Sequence, residues 1–545
     1  MKKLLVLCVL ILSLSILASC SNHTDEYDEG EVSPFREITF ITADNPEERN
    51  RMWQADLQQL REAIIQRHGM FWDDSAIFIP ADVLDDDSSG HVSVWMDIPR
   101  NEVLRNNTLI ALDTLIDNVP YLSDFEIAVG MQRAISNLQD NHFRVFPHAI
   151  SEIDVLLSVD FRYLGGADGG FYLIGALEEF SHALNHKITA INEVPIDTVM
   201  ERFSHFMSLE NIYDIRVQLA KVLHSTLMLE ILELRENNTT TFTLESNGNI
   251  TEITLTQDHE VHFHEDEEID FTFVTSRMDD KLPDFLDLDL RNNFQFFEEY
   301  GLLYIRIEGF DPTVYVDAWD LMEELGAESF SEIESEIRQA IAQGEIQGVI
   351  TPPEDVSPAH WLDDEYRFLW DVHFGIRNII EENDVQAIII DARLNVGGDP
   401  APFFGLFQLA ADTVEDGRLF YFIDGGSYSA AVTSAMAMRY LGAEIVGEPT
   451  GQNTIFYGVL SGIGDERDPH ISLNYSQLPI EIPNLLSHAA ADDIGPGFEP
   501  LAFFNMSPNF EFYTFRPDVL IEHTVEHWTN NTDPLLEYVI QQISE

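Results

Sequence analysis

From about residue 296 to the C-terminus the chain alternates short apolar runs with helical patterns. GLLYIRIEGF, DVQAIIIDAR, GRLFYFIDGG, AEIVGEP, HISLNY and PDVLIEH read as strands, with helices between several of them. That alternation predicts an α/β core, extended by a helical insertion over roughly 328–380 and closed by an amphipathic helix, TDPLLEYVIQQIS. A chain of 545 residues exceeds what one core holds, so several domains are expected. Its content of 45% hydrophobic and 11% aromatic residues is ample for globular cores.

Upstream, EERNRMWQADLQQLREAIIQRH spaces Met52, Trp53, Leu57, Leu60, Ile64 and Ile65 at helical intervals with charges between them. A second helix opens at SDFE, where Ser123 and Glu126 form a capping box. It continues through Ile127, Met131, Ala134, Ile135 and Leu138 and is expected to end near Asp140, just before His142. From about 151 the pattern turns β-rich, with DVLLSVDFRYL, GGFYLIGAL and a hairpin around Asn247, Gly248 and Asn249. The following acidic connector carries His259, His262 and His264. On a strand the last two share a face beside carboxylates, as a zinc or nickel site requires, but nothing supplies a fixed geometry and no metal is expected. The resulting division is 1–19 leader, 20–45 flexible tether, 46–150 helical region, 151–258 β-rich domain, 259–295 acidic connector and 296–545 core.

The first residues, MKKLLVLCVLILSLSILASC, place two lysines before an apolar run from Leu4 to Leu17 and then small residues. This is the build of a secretory leader, too short and wrongly flanked for a membrane span of roughly 20 residues. The terminal LASC resembles the bacterial lipobox, which implies cleavage before Cys20 and lipidation of its sulfur. The expected location is extracytoplasmic, with the membrane a partner through that anchor. Cys8 and Cys20 are the only cysteines, so a mature chain starting at Cys20 has no disulfide, cysteine nucleophile or cysteine metal site. The net charge of −67, from 96 acidic and 29 basic residues, argues against nucleic acid as a partner. The acids are spread along the chain and point to no single site.

The stretch from Asp391 to Tyr457 carries the chemistry. IIIDARLNVGGDP ends a strand in a turn at Asn395, Gly397 and Gly398, where paired glycines let backbone N–H groups approach a ligand, as an oxyanion requires. A second strand then runs into DGGSYSAAVTSAMAMRYLG, so that Ser429 stands at a helix N-terminus beside free N–H groups. On this segment alone Ser427 or Ser429 serves equally well as a plain helix cap.

In order, DARLNVGG, SYSAA and GEPTGQNTIFYG resemble the S41 serine peptidases, the family of C-terminal processing and tricorn-type proteases. QDNHFRV is similar to that family's D-x-H segment, RPDVLIEH to its late strand, and KITAINEVPIDTVMERF to the strand, turn and helix of a PDZ-like domain. The resemblance implies a multidomain α/β protein with a ClpP/crotonase-like spiral core, acting on peptide or protein substrates without a cofactor. It implies Ser429 as nucleophile, with the N–H of Ala430 and of a glycine in Gly397-Gly398 as oxyanion hole. The processing branch has a lysine shortly after GEPT, whereas Gly451, Gln452, Asn453 and Thr454 follow here. The tricorn-type branch uses the histidine of D-x-H, which implies His142 as base, with Glu511 before the late strand as a fourth group. Phe143 stands where the family has threonine and Glu193 where the PDZ-like turn has glycine. A catalytically silent peptide-binding protein on the same scaffold is the alternative, and an esterase a third reading.

Overall fold

The computed structural model describes residues 35, 38–71, 99–145, 154–236, 238–261, 273–275, 293–307, 309–310, 376–398, 400, 403–415, 417–458, 469–483, 485–488 and 514–544. The leader, Cys20, His262, His264, most of the expected insertion and Glu511 lie outside these residues. The chain is a multidomain α/β protein. Its central sheet has six strands in the order Asn293–Phe297, Leu302–Arg306, Ala387–Asp391, Leu419–Ile423, Glu444–Gly447 and Val519–Leu520. The first pair is antiparallel and the others are parallel. AIIID and LFYFI are buried at every position, as strands covered on both faces must be. Ile388, Ile390, Tyr421 and Ile423 face the helices Phe404–Thr413 and Ala430–Tyr440. The alternate residues Ile389, Phe420 and Phe422 face Leu535, Leu536 and Val539 of the closing helix Pro534–Ser544.

HISLNY departs from expectation. His470–Ser472 pairs with Pro479–Glu481 in a separate hairpin, outside the central sheet. His470 and Ser472 are exposed, and a strand this polar on one face cannot sit within a sheet covered on both. Leu473, Leu478, Ile480 and Ile482 near that hairpin join the core of the N-terminal helices, together with Trp53, Leu57, Ile64, Met131 and Phe143. The helical layer is therefore built from two distant stretches of the chain. Its helices are Pro46–Arg67, Pro99–Asn118 and Asp124–Ser136. The capping box at Ser123 and Glu126 forms as expected. Ile65 remains on the exposed side. The last helix ends at Ser136 rather than near Asp140, as Gln139 takes a positive φ of 54°.

The β-rich domain is an antiparallel sheet of Val159–Leu164, Gly170–Leu177, Lys187–Ile191, Thr240–Ser246 and Asn249–Leu255, the last two forming the expected hairpin. Ile188, Ile191, Phe242 and Leu244 pack under the helices Ile196–Ser204 and Ile212–Val222, among Val199, Phe203 and Leu219. The connector adds a strand to this domain, since Phe273–Thr275 pairs with Gly170–Leu177. Asn192 and Glu193 turn the chain at φ values of 44° and 65°, a conformation that glycine adopts without strain.

Candidate active site

Three parts of the fold meet at one point. Strand Leu419–Ile423 leads through a buried turn to Ser429, which caps the helix Ala430–Tyr440 at φ 49° and ψ −119°. A non-glycine residue in that region costs on the order of 1–3 kcal/mol and persists only when its surroundings enforce it. They do so here through the two loops of the core. Asp424 Oδ1 accepts from the N–H groups of Leu394 and Gly426, Ser427 Oγ donates to the Ala392 carbonyl, and Tyr428 N–H donates to the Asn395 carbonyl. Ser427 is thus a buried structural residue. Ser429 makes no side-chain cap, and its Oγ lies 3.2 Å from His142 Nε2.

His142 arrives from the helical layer. Asp140 Oδ1 accepts the His142 backbone N–H at 3.1 Å and lies 3.9 Å from Nδ1, while Asp140 Oδ2 meets His68 Nε2 at 3.0 Å. His68 Nδ1 accepts from the N–H of Met70. Its proton therefore resides on Nε2 and is donated to Asp140. The His142 ring stacks on Phe456 at 5.4 Å between centroids and is tilted against Tyr428 at 5.2 Å. Burial pulls its pKa below the ordinary 6.5, against the opposing pull of Asp140. Phe143, fully buried in the helical core, explains the bulky residue after the histidine as packing.

The β-rich domain supplies Glu210, just ahead of the helix Ile212–Val222. Burial drives its pKa well above the ordinary carboxyl value. Gln452 Nε2 donates to Glu210 Oε1 at 2.8 Å, and Asn453 N–H donates to Oε2 at 2.9 Å. Gln452 Oε1 accepts the Ser429 backbone N–H at 2.5 Å, and Nε2 is 3.2 Å from His142 Nδ1. A backbone N–H can only donate, so the amide's polarity is fixed and its N–H faces Nδ1. The resting imidazole then carries its proton on Nε2, toward the serine.

The backbone N–H groups beside Ser429 differ in how they are used. Gly397 N–H is taken by Asn395 Oδ1 at 2.8 Å. Among the described residues this leaves the N–H groups of Gly398 and Ala430. A Cβ at Gly397 would stand 2.5 Å from Ser429 Cβ and 3.1 Å from Ala430 N, so the glycine keeps open the space beside Ser429. Asp140, His142 and Glu210 have ligand atoms within 4.8 Å of one another, a separation that fits a metal ion. Glu210 and His142, however, already share the Gln452 amide between them.

Ser429, His142, Gly397, Gly398 and Ala430, all expected from the motifs, come together at one place. The motifs assign no role to Asp140, Glu210 or Gln452. Asp140 and Gln452 lay inside the motif segments, where a polar neighbour was the available signal. Glu210, 242 residues from Gln452, had none.

No family model and no curated protein matches the chain. Solved structures similar to it include mature CPAF, 10% identical, with 91% of this chain and 96% of that one covered and a TM-score of 0.46. The photosystem II D1 C-terminal processing protease is 10% identical, with coverages of 90% and 97% and a TM-score of 0.33. The tricorn protease is 11% identical, with coverages of 82% and 36% and a TM-score of 0.27.

Proposed function

We propose that the chain is an extracytoplasmic serine peptidase of the S41 type, held to a membrane through lipid on Cys20, with Ser429 as nucleophile and His142 as general base. The contact of 3.2 Å between His142 Nε2 and Ser429 Oγ, on a serine held at positive φ, carries this reading. Base action needs the imidazole proton on Nδ1, so Gln452 must yield that edge to Asp140. Nε2 then takes the hydroxyl proton as Oγ attacks the peptide carbonyl carbon. The N–H groups of Gly398 and Ala430 receive the oxyanion, His142 returns the proton to the departing amine, and water resolves the acyl-enzyme.

A fluorophosphonate probe should label the wild-type protein and not Ser429→Ala. Absence of labelling between about pH 6 and 9, the range over which a histidine base becomes neutral, would leave the non-hydrolytic peptide-binding reading in its place. Among the described residues no helix is long and apolar enough to cross a membrane. Anchorage is therefore tested at Cys20 itself: membrane association and incorporation of labelled fatty acid should both vanish in Cys20→Ala.

A further inference from the structure

The strands ending at Arg306, Asp391, Ile423 and Gly447 open at their carboxyl ends onto a second crevice, a cavity of about 460 Å3 whose opposite wall is the β-rich domain. Crevices at the carboxyl ends of parallel strands are where open α/β sheets bind ligands. Ser429, His142, Gln452 and Glu210 do not line it, whereas Asp424 and Gly425 of the turn ahead of Ser429 do.

Most acids in the crevice are already engaged. Arg393 holds Asp391 at 2.5 Å and Asp533 at 2.7 Å, and Asp424 accepts two backbone N–H groups. Two aromatic-stacked guanidinium groups, among the described residues, make no such ion pair. The Arg162 guanidinium lies over the Trp528 ring at 5.0 Å, and that of Arg216 over Tyr163 at 4.4 Å and Tyr213 at 5.4 Å. Among the described residues neither has a carboxylate at ion-pair distance, and Arg216 Nε is a buried donor without a hydrogen bond. Asp160, Asp424 and Glu448 act on Arg162 only from beyond ion-pair distance, and in a chain with 96 acids to 29 bases the lack of a closer carboxylate is not explained by a shortage of acids. Stacking on aromatic rings fixes a guanidinium while leaving its N–H edge available to a planar partner.

We propose that this crevice is a binding site for a small carboxylate, received on the edges of Arg162 and Arg216. A carboxylate matches the guanidinium fork and carries a single charge. Asp160 and Glu448 on the same walls disfavour a dianion such as phosphate. The site is independent of the peptidase reading.

Calorimetry on full-length Ser429→Ala protein, which cannot consume a peptide through that serine, tests it with hexanoate, trialanine, trialanine amide and inorganic phosphate. Expected is carboxylate binding with Kd below about 1 mM, weakened at least roughly tenfold by Arg162→Gln or Arg216→Gln and unchanged by His142→Ala. Trialanine binding without hexanoate or the amide assigns the carboxylate to a peptide terminus, and equal binding of hexanoate assigns it to a free organic acid. No carboxylate binding at about 10 mM, binding that survives both arginine substitutions, or phosphate binding tighter than any carboxylate overturns the proposal. The ligand series on protein with both arginines intact decides the matter even where an arginine variant fails to fold, and melting curves of the free variants identify that case.

Discussion

The Gln452 amide decides where the His142 proton sits. With Oε1 committed to the Ser429 N–H, the Nε2 group donates to Nδ1 and holds the imidazole in the tautomer that cannot accept the serine proton. Gln452→Ala should therefore raise the rate of fluorophosphonate labelling by about five- to tenfold, the equivalent of roughly 1 kcal/mol for one hydrogen bond. A rate that falls instead would make Gln452 an orienting partner of His142. The pH dependence follows from the downward shift of His142. Burial disfavours the imidazolium, so the neutral imidazole survives to lower pH, and the acid limb of labelling should fall below pH 6.5. A midpoint at or above 6.5 would assign the limb to another group. Ser429 and His142 were legible in the sequence because each stands in a short local pattern. Gln452 and Glu210 were not, because their roles arise from contacts between segments hundreds of residues apart.

At the scale of elements, the site depends on how the helical layer is fastened. Asp124 opens the helix Asp124–Ser136 and is buried. Its carboxylate accepts from Phe40 N–H, Ile41 N–H, Arg49 Nε and Trp53 Nε1, at 2.7 to 3.1 Å. One side chain thus ties the entering segment and the helix Pro46–Arg67 to the helix that ends before His142. Removing one partner of such a buried network leaves others unpaired. Asp124→Ala should destabilise the helical layer by about 3 kcal/mol, read as a fall in the urea midpoint followed by tryptophan fluorescence. A loss under about 0.5 kcal/mol would show that the carboxylate is dispensable. The capping box and both amphipathic helices were readable because periodicity and caps are local. The placement of HISLNY was not, because a short alternating run fits a hairpin and a sheet edge equally, and only the neighbouring layer decides between them.

For the whole molecule, a net charge of −67 is a standing repulsion that the compact state must bear. Raising NaCl from about 0.01 to 1 M shortens the screening length from about 30 to 3 Å, so the melting temperature should climb, by roughly 5 °C or more. A flat or falling curve would mean that the charges are spaced or paired well enough to be neutral in effect. The same charge makes the stacked arginines of the crevice informative, since long-range attraction of an anion to such a protein is poor and short-range geometry must do the holding. By itself the sequence determined the α/β alternation and singled out Ser429 and His142 as residues of one site. These are properties of composition and of local pattern. The tertiary structure alone decided that the pair meets, that Gln452 and Glu210 stand behind it, and that Gly397 gives its N–H to Asn395. Each of these is a distance or a hydrogen-bond polarity between segments, set only when the helical layer, the β-rich domain and the central sheet pack together.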